Sequence, residues 1–348
     1  MEHIYQSSLK ILLRSSREDY ILKDSILKDI IYELKNANSI AILPHIYADG
    51  DSIGSSIALA MGLKALGKQV DIYMEEEIPY IYSFLPGKEL IISSFYPVRE
   101  QYDLVVALDS GDVQRLGNRY SIFKDALMTI NIDHHGTNTE FAKINYVDSI
   151  ASSTGEIIYG VLEAISSSVD LPCATCIYTA VAADTGGFRY SNTTSHTHEV
   201  AAKLTDKGVN VADICRKIFE TTTYERVKLI GMASQAIELF HDGKIAFVLI
   251  TAHMIKESGT KDEDCEGIVN IGRSIKGVEV SIVMRELTDG NVKISFRSNE
   301  CTDVSAIAGM YGGGGHKRAA GCIIKGTVEI LRQRVLEDTA AQITQDIL

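Results

Sequence analysis

Three observations in the 348-residue sequence predict an α/β protein: a mainly parallel sheet flanked by helices, followed by a smaller C-terminal α/β unit. Short apolar runs alternate with helical periodicity through the first two thirds, the pattern of strands buried on both faces. Three of those runs end in Asp or His. The chain is too long for one ordinary core, and with 45% hydrophobic residues it can bury two.

A helix is expected over DSILKDIIYELKNA, 24–37, and then the strand SIAILP, 39–44. The next segment, SIGSSIALAMGLKALG, has helical apolar spacing and a terminal glycine, Gly67. QVDIYM, YDLVVALDS and LMTINIDHH read as further buried strands. Helical patterns follow at SSTGEIIYGVLEAIS, CATCIYTAVAAD and SHTHEVAAKLTDKG, the second delivering Asp184. Residues 1–209 are expected to form the first domain, with 1–24 as an N-terminal extension, and 210–242 a helical linker. From 243 to 348 the chain reads as strand KIAFVLI, a helix around DCEGIVNIGRSI, strands VEVSIVMREL and NVKISFRS, helix DVSAIAGM, the glycine run YGGGGHKRAAG, strand CIIK and a last helix from Val328.

The charge balance, 34 basic against 46 acidic residues and a net charge of −12, argues against binding long duplex DNA or an anionic membrane. A nucleic-acid substrate is therefore expected to be short. No run reaches the ~20 apolar residues that span a bilayer, and the N-terminus lacks a signal-peptide core, so a cytoplasmic protein is expected. Cys173 and Cys176 form a C-x-x-C pair without a second pair to complete a zinc site, inside a helix that reads as buried; structural cysteines are expected.

In open parallel sheets, ligands bind beyond the carboxyl ends of the strands. The charge lies at such ends: PHIYADGDSIGSS carries His45, Asp49 and Asp51, ALDSGD carries Asp109, and IDHH carries Asp133, His134 and His135. Taken singly, the first two read more readily as turns and helix caps than as a site, since Asp and Ser are favoured there. Adjacent histidines at a strand end have no evident packing role. Together, carboxylates and imidazoles suit divalent cations, Mg²⁺ or Mn²⁺ for oxygen ligands with imidazole shifting the balance toward Mn²⁺, and there are ligands enough for two. SHTHEV lacks the spacing of a helical zinc site, and the glycine run is neither a triphosphate-binding nor a dinucleotide-binding loop.

The set HIYADGDSIGS, ALDSGD, IDHH, ADTGGFRYSNT, SFRS and GGGGHKRAAG resembles the DHH phosphoesterase family with its associated C-terminal domain, and within it the bacterial nanoRNase and pAp-phosphatase branch. The resemblance spans roughly residues 25–345. It implies an active site in the cleft between two domains and two divalent ions, most readily Mn²⁺, with Mg²⁺ or Co²⁺ as alternatives. His45, Asp49 and Asp109 would hold one ion and Asp51, Asp109, His134 and Asp184 the other. His135 would face the substrate phosphate, and Asp133 would orient the histidines. Gly313, Gly314, Gly315, His316, Arg273, Arg297 and Lys317 would grip substrate; glycines bring backbone amides close to a phosphate. Tyr190 is a candidate for base stacking. The implied substrates are short oligoribonucleotides, pAp or linear dinucleotides such as pApA, handled by a homodimer. Cyclic-dinucleotide hydrolysis, pyrophosphate hydrolysis and a low-turnover nucleotide sensor are the alternatives. One departure stands out: relatives commonly carry Asn-Pro where this chain has Tyr47 and Ala48.

Overall fold

A computed structural model of the chain describes residues 23 and 25–347 except 95, 288 and 289. The expected extension at 1–24 falls outside the described residues, save Lys23. The chain divides into two compact units at Thr221/Thr222. Among the described residues, no helix is long and apolar enough to cross a membrane.

In the first unit, α1 (25–36) leads into β1 (Ser39–Pro44), α2 (Gly50–Ala65), β2 (Gln69–Met74), β3 (Ile91–Ser93) and β4 (Leu104–Leu108). Then come α3 (Tyr120–Lys124), β5 (Met128–Asp133), β6 (Ile144–Val147) and helices α4 (Thr154–Ala164), α5 (Leu171–Asp184), α6 (Ser195–Asp206) and α7 (Val211–Cys215). All its strands are parallel, in the order β3-β2-β1-β4-β5-β6. The order reverses between β1 and β4, which is where the loops of an open sheet part to leave a binding crevice. Alternation along the strands fills both faces: Ile40, Ile42, Val106 and Ile132 join the large core under α2, α4 and α5, while Ala41, Leu43, Val105 and Ala107 meet Leu116, Ile122 and Phe123. β3 and β6 carried no sequence signal. β3 has three residues, and the edge strand β6, INYV, is only half-buried and so has no apolar run.

Helix α2 is buried at every residue from Gly50 to Ala60. Its small residues allow neighbouring helices to close in. A Cβ at Gly54 would lie 2.5 Å from the Cys176 carbonyl oxygen, and one at Gly155 in α4 would lie 2.5 Å from the Ala180 Cβ. Cys173 and Cys176 face this packing and donate to the carbonyls of Ala58 and Pro86. Burial pushes the Cys173 thiol up to about 12, leaving it an inert packing group.

The second unit runs α8 (Tyr224–Gln235), β7 (Glu238–Phe240), β8 (Ile245–Ile250), α9 (Ala252–Ser258), α10 (Val269–Arg273), β9 (Val280–Glu286), β10 (Asn291–Ser298), α11 (Val304–Met310), β11 (Gly314–His316), β12 (Ala319–Lys325) and α12 (Val328–Ile347). Its sheet is mixed, in the order β11-β12-β10-β9-β8-β7, with β8 and β9 parallel. The stretch 210–242 is divided between the units: α7 closes the first, whereas α8 packs on β8 and β7 pairs with it, so both belong to the second. The glycine run is an edge strand. Gly314, Gly315 and His316 pair with Gly321, Ala320 and Ala319, and a Cβ at Gly315 would lie 2.5 Å from the Ala319 carbonyl oxygen. Glu279, 6% exposed, accepts from the amides of Glu300 (3.1 Å), Cys301 (2.9 Å) and Thr302 (2.8 Å), anchoring the loop between β10 and α11.

Two outcomes follow from this packing. Gly54→Ala gains ~1 kcal/mol of helix propensity, but the clash with a backbone oxygen dominates: the urea midpoint is expected to fall, with a loss of ~1–3 kcal/mol. Burial pushes the pKa of Glu279 up, yet the three amides outweigh it and hold the group below the ordinary Glu range. Its stabilisation is therefore present above about pH 4.3 and lost as pH falls through the lowered folded value. Acid unfolding of the second unit, followed by hydrogen exchange, is expected to lose that component in Glu279→Gln.

Candidate metal centre

The charged residues ending β1, β4 and β5 meet at the crevice of the first sheet. His45 follows β1; its Nδ1 is 2.7 Å from the Ile46 carbonyl oxygen, and its Nε2 is 3.8 Å from Asp49 and 3.5 Å from Asp109 Oδ2. Asp49 also caps α2, accepting from the amides of Asp51 and Ser52 at 3.1 Å each, so the cap and the approach to His45 fall on one residue. The residues between them have separate tasks. Ile46 supplies the carbonyl, Ala48 is buried, and Tyr47 makes the reversal at φ 56° with its ring 65% exposed.

Asp51, in the first turn of α2, is buried. Its carboxylate accepts from the amides of Thr154 (2.7 Å) and Gly155 (2.8 Å), which open α4. A helix N-terminus favours an anion there. Asp109 leaves β4 with φ 55°. That left-handed backbone is uncommon for any residue with a Cβ, and it turns the carboxylate back over the sheet edge. Asp109 Oδ2 faces His45, while Oδ1 accepts from the Thr154 hydroxyl (3.0 Å) and lies 3.7 Å from His134 Nε2. His134 in turn faces Asp51 at 3.6 Å and Asp184 at 3.5 Å, with its Nδ1 3.3 Å from the Ala151 carbonyl oxygen.

Asp133 orients one histidine, not both. Its Oδ1 is 2.7 Å from His135 Nδ1, and its Oδ2 accepts from Asn138 at 2.6 Å, whereas His134 is oriented by the Ala151 carbonyl. Asp184, the last residue of α5, accepts from the Asn192 side chain at 3.3 Å. Sequence reasoning did not find Thr154, Gly155, Ala151 or Asn138. The first two sit directly after Ser153, an evident N-cap residue, but nothing in SSTGE says whose carboxylate the helix will receive.

The electrostatics match this crowding. Burial first, and then repulsion from Asp109, Asp184 and Asp49, raises Asp51 well above the ordinary carboxylate range. Burial likewise pushes Asp184 up to about 6, with Asp49 and Asp109 adding to it and His134 opposing. For Asp109 burial is again the largest influence, but the imidazoles of His45, His135 and His134 outweigh it and hold the group below its usual range. Burial favours neutral His135, yet Asp133, Asp109 and Asp184 push it up to about 9.

These donors fit divalent cations. His45, Asp49 and Asp109 offer atoms within 4.8 Å of one another, and so do Asp51, His134 and Asp184. A cation would relieve the carboxylate repulsion, and His45 and His134, whose Nε2 atoms face the carboxylates, each set Nδ1 against a carbonyl, the arrangement usual for metal-bound imidazoles.

In the second unit, ladder pairing places Ser281, Arg297, Ala319 and His316 in one row on one face of the sheet. Ala319 leaves Arg297 and His316 two strand spacings apart, about 10 Å. Arg273 ends α10, and Lys317 is exposed in the turn between β11 and β12. Tyr190 lies against Gly186, where a Cβ would overlap its ring.

A doubly wound sheet with Asp/His clusters at its crevice is the arrangement of an α/β enzyme built to hold divalent cations. The first unit matches the DHH family N-terminal domain over residues 39–181 and the second matches the DHHA1 domain over 243–345. The chain is 35% identical over 309 residues to the bifunctional oligoribonuclease and PAP phosphatase NrnA of Thermus thermophilus, covering 88% of this chain and 90% of that one. The NrnA protein of Bacillus subtilis is 26% identical, with coverage of 85% and 92%. A crystal structure of an exopolyphosphatase-related protein from Bacteroides fragilis superposes with a TM-score of 0.83 at 28% identity, covering 91% of this chain and 97% of that one. The chain belongs to the DHH family of metal-dependent phosphoesterases.

Thr154→Val keeps the backbone amide on Asp51 and removes the hydroxyl on Asp109. Groups that orient metal ligands typically contribute 10–100-fold to affinity, so calorimetric titration with Mn²⁺ is expected to show weakening of about tenfold in this variant, with unchanged circular dichroism.

Proposed function

We propose that this phosphoesterase hydrolyses short oligoribonucleotides, pAp and linear dinucleotides such as pApA to mononucleotides, using two divalent ions, Mn²⁺ foremost. His45, Asp49 and Asp109 would hold one ion and Asp51, Asp109, His134 and Asp184 the other, Asp109 giving one oxygen to each. The observation that carries this reading is Asp109 itself, whose Oδ2 faces His45 while its Oδ1 faces His134. When bound, such a pair of ions supplies water activation and charge neutralisation at both oxygens of an in-line displacement.

The chain's own groups do the rest. Water adds its oxygen to phosphorus, the ester P–O bond breaks, and one water proton ends on the departing ester oxygen, which leaves as a hydroxyl. His135, fixed by Asp133, donates to a non-bridging phosphate oxygen. Arg297 and His316, sharing one face of the second sheet, hold phosphate charge, with the glycine edge strand lending backbone amides and Arg273 and Lys317 adding positive potential. The net charge of −12 suits substrates short enough for a local cationic pocket. Curated relatives named for oligoribonuclease and PAP phosphatase activity align over most of both chains, which supports this substrate class. The homodimer and the cytoplasmic location belong to the same reading.

The test is a panel of pAp, pApA, two-to-five-nucleotide RNAs, cyclic-di-AMP and pyrophosphate, each with Mn²⁺ and Mg²⁺. Turnover of pAp and short RNA is expected, with Asp109→Ala lowering kcat/KM by at least about 100-fold. Hydrolysis of pyrophosphate alone, or activity undiminished in Asp109→Ala, would overturn the assignment.

A further inference from the structure

The loop after β4 brings a further cation, Arg115, to the candidate metal centre. Arg115 Nη2 lies 3.0 Å from Nδ1 of His45, the same nitrogen that lies 2.7 Å from the Ile46 carbonyl oxygen. One imidazole nitrogen cannot serve both neighbours, since it donates to a carbonyl only as N–H and accepts from a guanidinium only as a bare nitrogen. If Nδ1 accepts from Arg115, the proton sits on Nε2, pointing at Asp49 and Asp109. If Nε2 offers its lone pair to a cation, Nδ1 must carry the proton and donate to Ile46, and Arg115 then faces an N–H. Among the described residues, no carboxylate lies within 4.0 Å of the Arg115 guanidinium, although it is partly buried and carries five donors.

The loop is built to hold that guanidinium in place. Asp112 caps it through the Arg115 amide at 3.1 Å, and the Arg115 carbonyl accepts from the Ile46 amide at 2.8 Å. Two residues on, Gly117 adopts φ 56° where a Cβ would overlap the Glu75 carboxylate, which receives the amide and side chain of Asn118. The next residue, Arg119, is fully buried and donates to the Tyr73 carbonyl at 2.7 Å, tying the loop to the end of β2. A pinned loop presenting a cation without a carboxylate partner, beside a phosphoesterase centre, calls for an anionic partner from outside the chain.

We propose that Arg115 is a phosphate-binding residue of this active site, donating to His45 in the metal-free chain and to a substrate phosphate oxygen once His45 is a metal ligand. The inference rests on the phosphoesterase reading and adds a first-unit cation to it. A planar guanidinium delivers two parallel N–H groups to a phosphate, which an ammonium does not.

The experiment compares wild type, Arg115→Gln and Arg115→Lys. Mn²⁺ affinity is measured by calorimetry without substrate, inorganic phosphate affinity by calorimetry of the Mn²⁺-loaded proteins, KM and kcat are measured with pAp, and circular dichroism monitors folding. Expected are Mn²⁺ binding equal to or tighter than wild type in Arg115→Gln, since a competitor for Nδ1 is gone, and phosphate affinity down about tenfold with KM raised to match. Arg115→Lys is expected to recover only part of that loss. Weaker Mn²⁺ binding with unchanged phosphate affinity would make Arg115 a support for His45 and overturn the proposal; so would full recovery by lysine. A wild type that binds phosphate but leaves pAp intact would count against the substrate assignment alone, and the phosphate arm would still decide Arg115.

Discussion

The first unit is organised around the burial of three carboxylates, Asp51, Asp109 and Asp184, at one sheet crevice. In water such groups ignore one another; removed from it, they repel strongly, and two of the three are driven toward their neutral forms. The surrounding structure holds them in place regardless. Asp51 is fixed by the amides that start α4, Asp109 by a hydroxyl from the same turn, and Asp184 by Asn192. A fold that spends stability in this way does so for a cation.

That requirement explains the packing around it. Asp51 can meet the N-terminus of α4 only if α2 and α4 lie close, and α5 must approach both to bring Asp184 within reach. The glycines at 54 and 155 permit this approach, at a cost in intrinsic helix propensity. Strand order completes the arrangement: β1 and β4 are neighbours in the sheet with their connections departing in opposite directions, so the loops carrying His45 and Asp109 open onto the same crevice.

Much of this was legible in the sequence. Apolar runs marked β1, β2, β4 and β5, because strands covered on both faces have no polar side to interrupt them. β3 and β6 were illegible for the opposite reason: as short or half-exposed edge strands they lack such a run. The residues in HIYADGDSIGS, ALDSGD and IDHH declared their chemistry by type and position, and the resemblance assigned them partners. What no local pattern revealed was the set of neutral groups that aim them. Thr154 and Ala151 act through their place in space, far along the chain from the groups they hold, and the Ile46 carbonyl acts through a backbone turn that no side-chain pattern marks. Likewise the glycine run announced conformational freedom but not its antiparallel pairing with β12, which depends on a partner strand reading only as generic apolar sequence.

The left-handed backbone at Asp109 has a bearing on how this protein can change. Replacing that residue with glycine would relax a conformation that opposes any Cβ, but it would also strip His45, His134 and the Thr154 hydroxyl of the carboxylate they face, a loss larger than the relief. The same replacement removes the carboxylate that lies between His45 and His134. The strained backbone is therefore retained by folding as well as by chemistry, and a more durable variant has to find its stability elsewhere.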